Sequence, residues 1–152
     1  MATECKYDIK DSRITNVNDN GQSLLFVAGV DGHKKLVNQL ISMGADVNAK
    51  DNNGFRPIAQ AFSHPDIVDI YIAAGADMKV EDNGGNNLVM NAAKIGDIRS
   101  LRAIVDAGAP CTSKKDSNDK SPMDYAKGFP AEQAEGLTFI LENCTPKAEV
   151  TA

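Results

Sequence analysis

The stretch Gly44-Ala45-Asp46-Val47-Asn48-Ala49 closes an apolar helical pattern, and shorter versions of it return at Gly75-Ala76-Asp77-Met78-Lys79 and Gly108-Ala109-Pro110-Cys111. The three Gly-Ala pairs are separated by 31 and then by 33 residues. Self-similarity at this period indicates a stack of small units rather than one globular core. Because a stack of this kind presents an extended surface, the pattern favours binding over chemistry.

Each unit has the same internal order of segments. A turn that contains glycine comes first, followed by a short apolar segment, a polar turn, and a second amphipathic segment that ends at Gly-Ala. In the first unit the second segment is 36–41, where the apolar residues lie on one helical face. Gly44, Gly75 and Gly108 stand where a helix commonly ends in a left-handed residue. The sequence therefore predicts two short helices in each unit.

The unit resembles the ankyrin repeat, whose signature runs Asp-x-x-Gly-x-Thr-Pro-Leu-His-x-Ala-Ala, then Gly-His, Leu-Leu and Gly-Ala-Asp-Val-Asn. Gly32-His33 and Gly44-Ala45-Asp46-Val47-Asn48 match the signature directly, and Arg56-Pro57-Ile58-Ala59 and Ser121-Pro122-Met123-Asp124 match its Thr-Pro-Leu-His box in part. The resemblance implies an all-α ankyrin-repeat solenoid of about four helix-turn-helix repeats with protruding β-hairpin turns. It places an N-terminal cap or tail at 1–17, repeats at about 18–50, 51–81, 82–115 and 116–144, and a C-terminal tail at 145–152.

The chain also departs from the signature. No copy keeps Thr-Pro-Leu-His intact, so the hydrogen-bond network that the family histidine makes within and between repeats is expected to be absent. The second copy is short between Ala61 and His64, which should trim its first helix and leave His64 as an exposed turn residue. The fourth copy has Asp119 where glycine is usual, and its second helix should begin near Pro130, since proline fits a first helical turn.

Composition argues against several classes of function. A chain of net charge −5 without a Lys/Arg cluster is a poor nucleic-acid ligand, because attraction to phosphate dominates such binding. No window of 18 apolar residues occurs, so no membrane insertion is expected. The two histidines and three cysteines are scattered, without the spacing of a nucleophile and its base or of zinc ligands. We therefore predict no catalytic residues, no metal, no cofactor and no enzymatic activity.

The three cysteines leave two interpretations open. They are free thiols of a reducing compartment, or Cys111 and Cys144 form a disulfide, since each follows the end of a repeat and neighbouring repeats stack. The first six residues lack the apolar core of a signal peptide. The protein is accordingly cytoplasmic if it begins at Met1, or periplasmic if a signal peptide is missing from this sequence.

The resemblance also implies a concave binding surface built from hairpin tips and first helices. Tip positions around the turn glycine are expected to be free of the fold, and exposed aromatic residues there are strong interface anchors. Phe62 has a second interpretation, as a core residue that fills the gap left by the shortened copy. The predicted partner-binding residues are Phe55, Phe62, Val30, Asp31, Ile95, Asn52, Asn53 and Asn86.

The favoured function is a monomeric module that binds another protein by occlusion, as an inhibitor or immunity-type protector of a partner enzyme. Small stand-alone ankyrin proteins of this appearance occur in bacteria, and some resemble periplasmic self-protection proteins that block the producer's own cell-wall peptidases. This resemblance implies a peptidoglycan peptidase as one candidate partner. The alternative is a scaffold or adaptor that recruits a partner protein without inhibiting it.

Overall fold

The computed structural model describes residues 12–144 as an all-α stack of helix pairs. Residues 1–11 of the predicted N-terminal cap, with Cys5, and the predicted tail 145–152 lie outside the described residues. A short first helix precedes four pairs, and each pair contacts the next, which confirms the predicted solenoid. The helices are α1 Ser12–Thr15, α2 Leu24–Val30, α3 Lys34–Ser42, α4 Pro57–Gln60, α5 Pro65–Ala73, α6 Leu88–Ile95, α7 Ile98–Asp106, α8 Pro122–Ala126 and α9 Ala131–Glu142.

The first helix of most pairs begins at a capping side chain. Ser23, Asn87 and Ser121 each accept a hydrogen bond from the backbone N–H three residues on, which satisfies a donor that the helix leaves free. The second pair lacks this bond, since Arg56 makes no side-chain cap, but Pro57 at the first position has a backbone already shaped for a helix. Local sequence therefore sets where each pair starts.

The second pair is shortened, as the sequence predicts. Helix α4 has four residues, against seven in α2 and eight in α6. Because α4 ends at Gln60, the chain turns early, and the Phe62 side chain enters the core, where it is 1% exposed. The interpretation of Phe62 as a core residue is therefore confirmed, and its interpretation as an exposed interface anchor is wrong. Its ring packs in the core and lines the cleft that the shortened helix leaves.

A continuous apolar core runs along the stack, and Tyr71 of α5 joins its second layer to its first. The Tyr71 hydroxyl donates to the Leu25 carbonyl at 3.0 Å, and burial raises the pKa of Tyr71. Gly29 of α2 makes room for that hydroxyl, since a Cβ there would lie 2.1 Å from the Tyr71 oxygen. The core includes Leu25, Val37, Ile58, Val68, Leu88, Leu101, Ile104 and Leu137.

The end of the stack is covalently closed. Cys111 and Cys144 are joined as a disulfide with their Cα atoms 5.7 Å apart, which lies within the usual range for such bonds. The bond joins the segment after α7 to the residue that follows α9 and its C-cap. It corresponds to the second of the two interpretations that the sequence leaves open. Within residues 12–144, no helix is long and apolar enough to cross a membrane.

Candidate functional site

Each repeat opens with a turn that we call hairpin 1 (18–22), hairpin 2 (51–55), hairpin 3 (82–86) and hairpin 4 (116–120). Its first residue is Asn18, Asp51, Asp82 or Asp116, whose N–H donates to the carbonyl four residues on. The side-chain oxygen of the same residue accepts from the N–H groups two and four residues on. The predicted β-hairpin turns are thus built mainly by side-chain oxygens, with isolated bridges between Val17 and Ser23 and between Glu81 and Asn87.

Asparagines connect the first three hairpins. The Asn52 N–H donates to the Asn20 carbonyl at 2.9 Å, and the Asn83 N–H donates to the Asn53 carbonyl at 3.0 Å. Each donor residue also gives a side-chain Nδ2 bond to a second carbonyl of the preceding hairpin, at 2.9 and 3.1 Å. Gly54 allows this approach, since a Cβ there would lie 2.4 Å from the Asn83 Oδ1. The expectation that tip positions are free of the fold is therefore wrong for Asn52.

Hairpin 4 is held differently, by an ion pair. The Asp116 side chain is 1% exposed and lies 2.9 Å from the Lys94 ammonium of α6. It also accepts from the Tyr125 hydroxyl at 2.8 Å. Lys94 and then Tyr125, with the N–H groups of Asn118 and Lys120, hold the pKa of the Asp116 carboxyl well below its ordinary value. The carboxylate is therefore charged and fully partnered at the joint between the third and fourth repeats.

A second set of bonds crosses the repeats at the helix ends. In each bond, a side chain at the start of a second helix meets a carbonyl at the end of the preceding repeat's first helix. These bonds start at the second helices, so they differ from the first-helix network of the family histidine, whose absence stays a prediction. His64 belongs to this set and is half-buried rather than exposed. The pairs are His64 with Val30 at 3.1 Å, Ser100 with Phe62 at 3.2 Å, and Gln133 with Gly96 at 2.6 Å.

The shortened helix leaves a cleft of about 220 Å³ between the second and third repeats, which we call the notch. Ala59 and the buried Phe62 are among the residues that line it, with Phe55 from hairpin 2 and Ile95 from the end of α6. Ile95 is 51% exposed. Phe55 is half-buried and packs against the core, so it is less exposed than a fingertip anchor should be. The notch is thus a recess with apolar walls, and Ile95 is the large apolar side chain exposed at its edge.

The structure brings some of the predicted residues together and separates others. Asn86 also lines the notch, but its amide is already used, since Nδ2 donates to Asp82 at 3.0 Å and Oδ1 accepts from Lys94 at 3.3 Å. Val30, 40% exposed, and the exposed Asp31 lie at the end of α2, one repeat away from the notch. The exposed Asn53 lies at the tip of hairpin 2.

Sequence reasoning missed the polar side of the notch. The Asp82 carboxylate accepts from Asn86 and, at 3.5 Å, from the Asn91 amide of α6. The signal for Asp82 is its place at the head of a hairpin, but Asn91 lies within an apolar helix and has no such signal. Both sides of the notch are consequently fixed by hydrogen bonds. No group of three or more His, Cys, Asp or Glu side chains within residues 12–144 is placed to hold a metal ion.

Comparison with known families agrees with this geometry. A family model for the ankyrin repeat matches residues 20–52, which cover the end of hairpin 1, the first helix pair and the start of hairpin 2. No curated protein matches the chain. The helix pairs that follow in the structure repeat the matched unit with the same hairpin and helix order.

Proposed function

We propose that this chain, whose first repeat matches the ankyrin-repeat model and whose later helix pairs repeat it, binds another protein and covers a functional surface of that partner. The observation that carries the proposal is the notch, an apolar recess on a face of hairpins and first helices, with Ile95 exposed at its edge. Exposed apolar side chains around a recess supply the buried centre that stable protein interfaces need. The other charged and amide groups of this face supply a polar rim.

We favour an inhibitor or immunity-type protector of a partner enzyme. Occlusion is most effective when the binding face is already formed, since ordering a loose face consumes binding free energy. Here the asparagine bonds between hairpins 1, 2 and 3 hold the face in one shape. A rigid face of this kind suits a protein that covers an active site rather than one that adapts to several conformations of its partner.

A peptidoglycan peptidase is the finer form of this proposal, and it requires a periplasmic location. The disulfide between Cys111 and Cys144 supports that location, because such bonds persist in oxidising compartments such as the bacterial periplasm. The choice of a peptidase as the partner rests on the family resemblance, since fold alone does not fix function.

A non-inhibitory scaffold or adaptor is the second candidate, since the second helices offer another surface. Exposed ion pairs run along the starts of α3, α5 and α7, where Lys34 and Arg99 meet Asp66, and Arg99 also meets Asp69. An adaptor needs two surfaces that partners can use at once. This charged strip extends over three repeats and is the natural second surface.

Affinity capture from the source organism, followed by an activity assay of the captured protein, tests the proposal. We expect the wild-type chain to retain one enzyme, and saturating chain to abolish most of its activity. Capture with Ile95→Glu serves as the control for binding through the notch face. Full activity of the captured enzyme at a saturating concentration of this chain would contradict the inhibitor function and favour the adaptor function.

A further inference from the structure

We infer that the notch receives one large uncharged side chain, aromatic or branched aliphatic, from a loop of the partner protein, and that a Lys or Arg beside it faces the acidic end of the first repeat. This inference rests on the proposed function, since it names the chemistry of the partner segment. Its basis is the size of the notch, the charge of its lining and the unequal distribution of charge around it.

The size of the notch fits one side chain. Its volume of about 220 Å³ is below the 300–1,000 Å³ that is typical of small-molecule sites. The space exists because α4 has three residues fewer than α2 and four fewer than α6, or about one helical turn. A recess one turn long, open on one side, suits a single protruding anchor rather than a bound helix or a cofactor.

The lining selects an uncharged guest. Its apolar members include Phe55, Phe62 and Ile95, and its charged members are Asp82 and Lys94. Both charges are already satisfied within the chain. The Asp82 carboxylate accepts from its own hairpin and from α6, while the Lys94 ammonium is paired with a carboxylate of hairpin 4. A charged guest would have to give up water without gaining a partner, which is costly.

The acidic end belongs to the first repeat, one repeat away from the notch, and is connected to the notch lining through His64. Asp31 follows Val30, whose carbonyl bonds to His64, and Ser63 before that histidine lines the notch. Asp31 and Asp19, both exposed, have no ion-pair partner within residues 12–144. These carboxylates are therefore available to a partner.

At the opposite end of the same face, charged side chains form ion pairs with each other. Lys114 pairs with Glu81 at 3.7 Å, and Lys115 pairs with Asp119 at 3.1 Å. A basic residue on the partner loop consequently finds, toward the first repeat, the exposed carboxylates of Asp19 and Asp31, which have no ion-pair partner within residues 12–144. Complementary rim charges mainly fix the register and raise the association rate. The charge distribution thus predicts the direction in which the partner loop lies across the notch.

A selection from a phage library of cyclic seven-residue peptides tests this inference on the full-length, oxidised chain. We expect the enriched peptides to share a Trp, Tyr, Phe or Leu beside a Lys or Arg. Synthetic copies should bind Ile95→Glu at least tenfold more weakly than wild type. They should bind Asp31→Lys several-fold more weakly, and that difference should shrink at high salt.

Two variants serve as matched controls. Phe139→Glu changes an apolar residue of α9 that is 58% exposed, and Asp106→Lys reverses an exposed acidic charge at the end of α7. Neither residue lines the notch, so both variants should bind the peptides like wild type. Thermal midpoints close to that of wild type for all four variants show that any loss of binding is not a loss of fold.

Three results overturn the inference: no enrichment, an acidic consensus beside the anchor, or equal binding to wild type and Ile95→Glu. These failures differ from a failure of the proposed function. Affinity capture that yields no partner protein counts against the function itself. A captured partner that binds wild type and Ile95→Glu equally is compatible with the proposed function and contradicts only the role of the notch in binding.

Discussion

The first three hairpins and the fourth hairpin are attached to the neighbouring repeat by different kinds of bond. Hairpins 1 to 3 are joined by backbone and amide hydrogen bonds through Asn52 and Asn83, all between neutral groups. Hairpin 4 is joined through the Asp116 carboxylate to Lys94, and its repeat is closed by the disulfide at Cys144. Neutral bonds are insensitive to pH and redox state, whereas charged pairs and disulfides are sensitive to one or the other.

This difference separates the notch from the fourth repeat. The notch lies between the second and third repeats, whose hairpins are joined by neutral bonds, and only its Lys94 also pairs with Asp116 of hairpin 4. The fourth repeat is the last one within residues 12–144, and its bonds depend on pH and redox state. We therefore expect changes of pH and redox state to loosen the fourth repeat before they affect the notch.

Removal of the disulfide should have the largest effect. The bond closes a loop with a sequence separation of 33, for which loop-closure entropy gives about 3–4 kcal/mol. We expect the double variant Cys111→Ala/Cys144→Ala to lose free energy of unfolding of this order in urea titrations. Wild type with a reductant should behave like the variant, and the variant should not respond to the reductant. A loss below about 1 kcal/mol would show that the reduced fourth repeat is held by its other contacts.

The ion pair at hairpin 4 should produce the next effect, and it depends on pH. The native pKa of Asp116 is lowered, so its stabilisation is complete above the unfolded-state pKa of about 4 and is lost as pH falls toward the native value. Asp116→Asn should therefore have a lower thermal midpoint than wild type at pH 7. That gap should narrow steadily below about pH 4.

A pH series of thermal midpoints for wild type and Asp116→Asn measures this gap. Asp124 also has a lowered pKa, because the Ser121 N–H and hydroxyl bond to its carboxylate. Both proteins keep Asp124, so its contribution cancels in the difference. Tyr125→Phe is the milder control, since it removes only the hydroxyl that donates to Asp116. A gap that stays constant from pH 7 to pH 2 contradicts this assignment.

The asparagine bonds should each contribute less. Asn52→Ala and Asn83→Ala each remove one amide bond to the preceding hairpin, which is typically about 1 kcal/mol. Asn118→Ala, at the tip of hairpin 4, is the matched control, because only its backbone N–H is bonded there. It should change stability by less than about 0.5 kcal/mol. Equal losses for all three variants in urea titrations would mean that the hairpins do not differ.

The smallest effect should come from the outer ion pairs. Arg99 is 60% exposed and pairs with Asp66 and Asp69 of the preceding repeat at 3.0 and 3.1 Å. Because solvent screens exposed pairs, Arg99→Ala should lose at most about 1 kcal/mol. The loss should fall further in about 1 M salt, where the screening length is about 3 Å. A loss that salt does not change would indicate a packing role for the arginine side chain.

The period of the chain was readable from the sequence because glycine marks chain reversals that few other residues tolerate. The shortening of α4 also followed from a simple count of residues between Ala61 and His64. The inward position of Phe62 did not follow, since a ring after a short helix fits either solvent or core until the neighbouring layer is known. Only the packing of α6 and α7 against the second repeat decides between them.

The bonds between repeats were harder to predict. Asn52 and Asn83 are separated by 31 residues, the length of the shortened repeat, so their common register was a usable signal. The helix-end bonds carried no such signal, because His64, Ser100 and Gln133 perform one role with three unrelated side chains. The residues around the notch were predictable by register, whereas their exposure depended on tertiary packing.

Amide hydrogen exchange of the full chain, oxidised and reduced, tests the separation of the two regions most directly. We expect reduction to speed exchange in α8 and α9, while the rates in hairpins 1 to 3 and in α2 to α5 stay unchanged. A uniform rise in exchange along residues 12–144 would show that the stack opens as one unit. That result would contradict the claim that the binding face is stabilised independently of the disulfide-closed end.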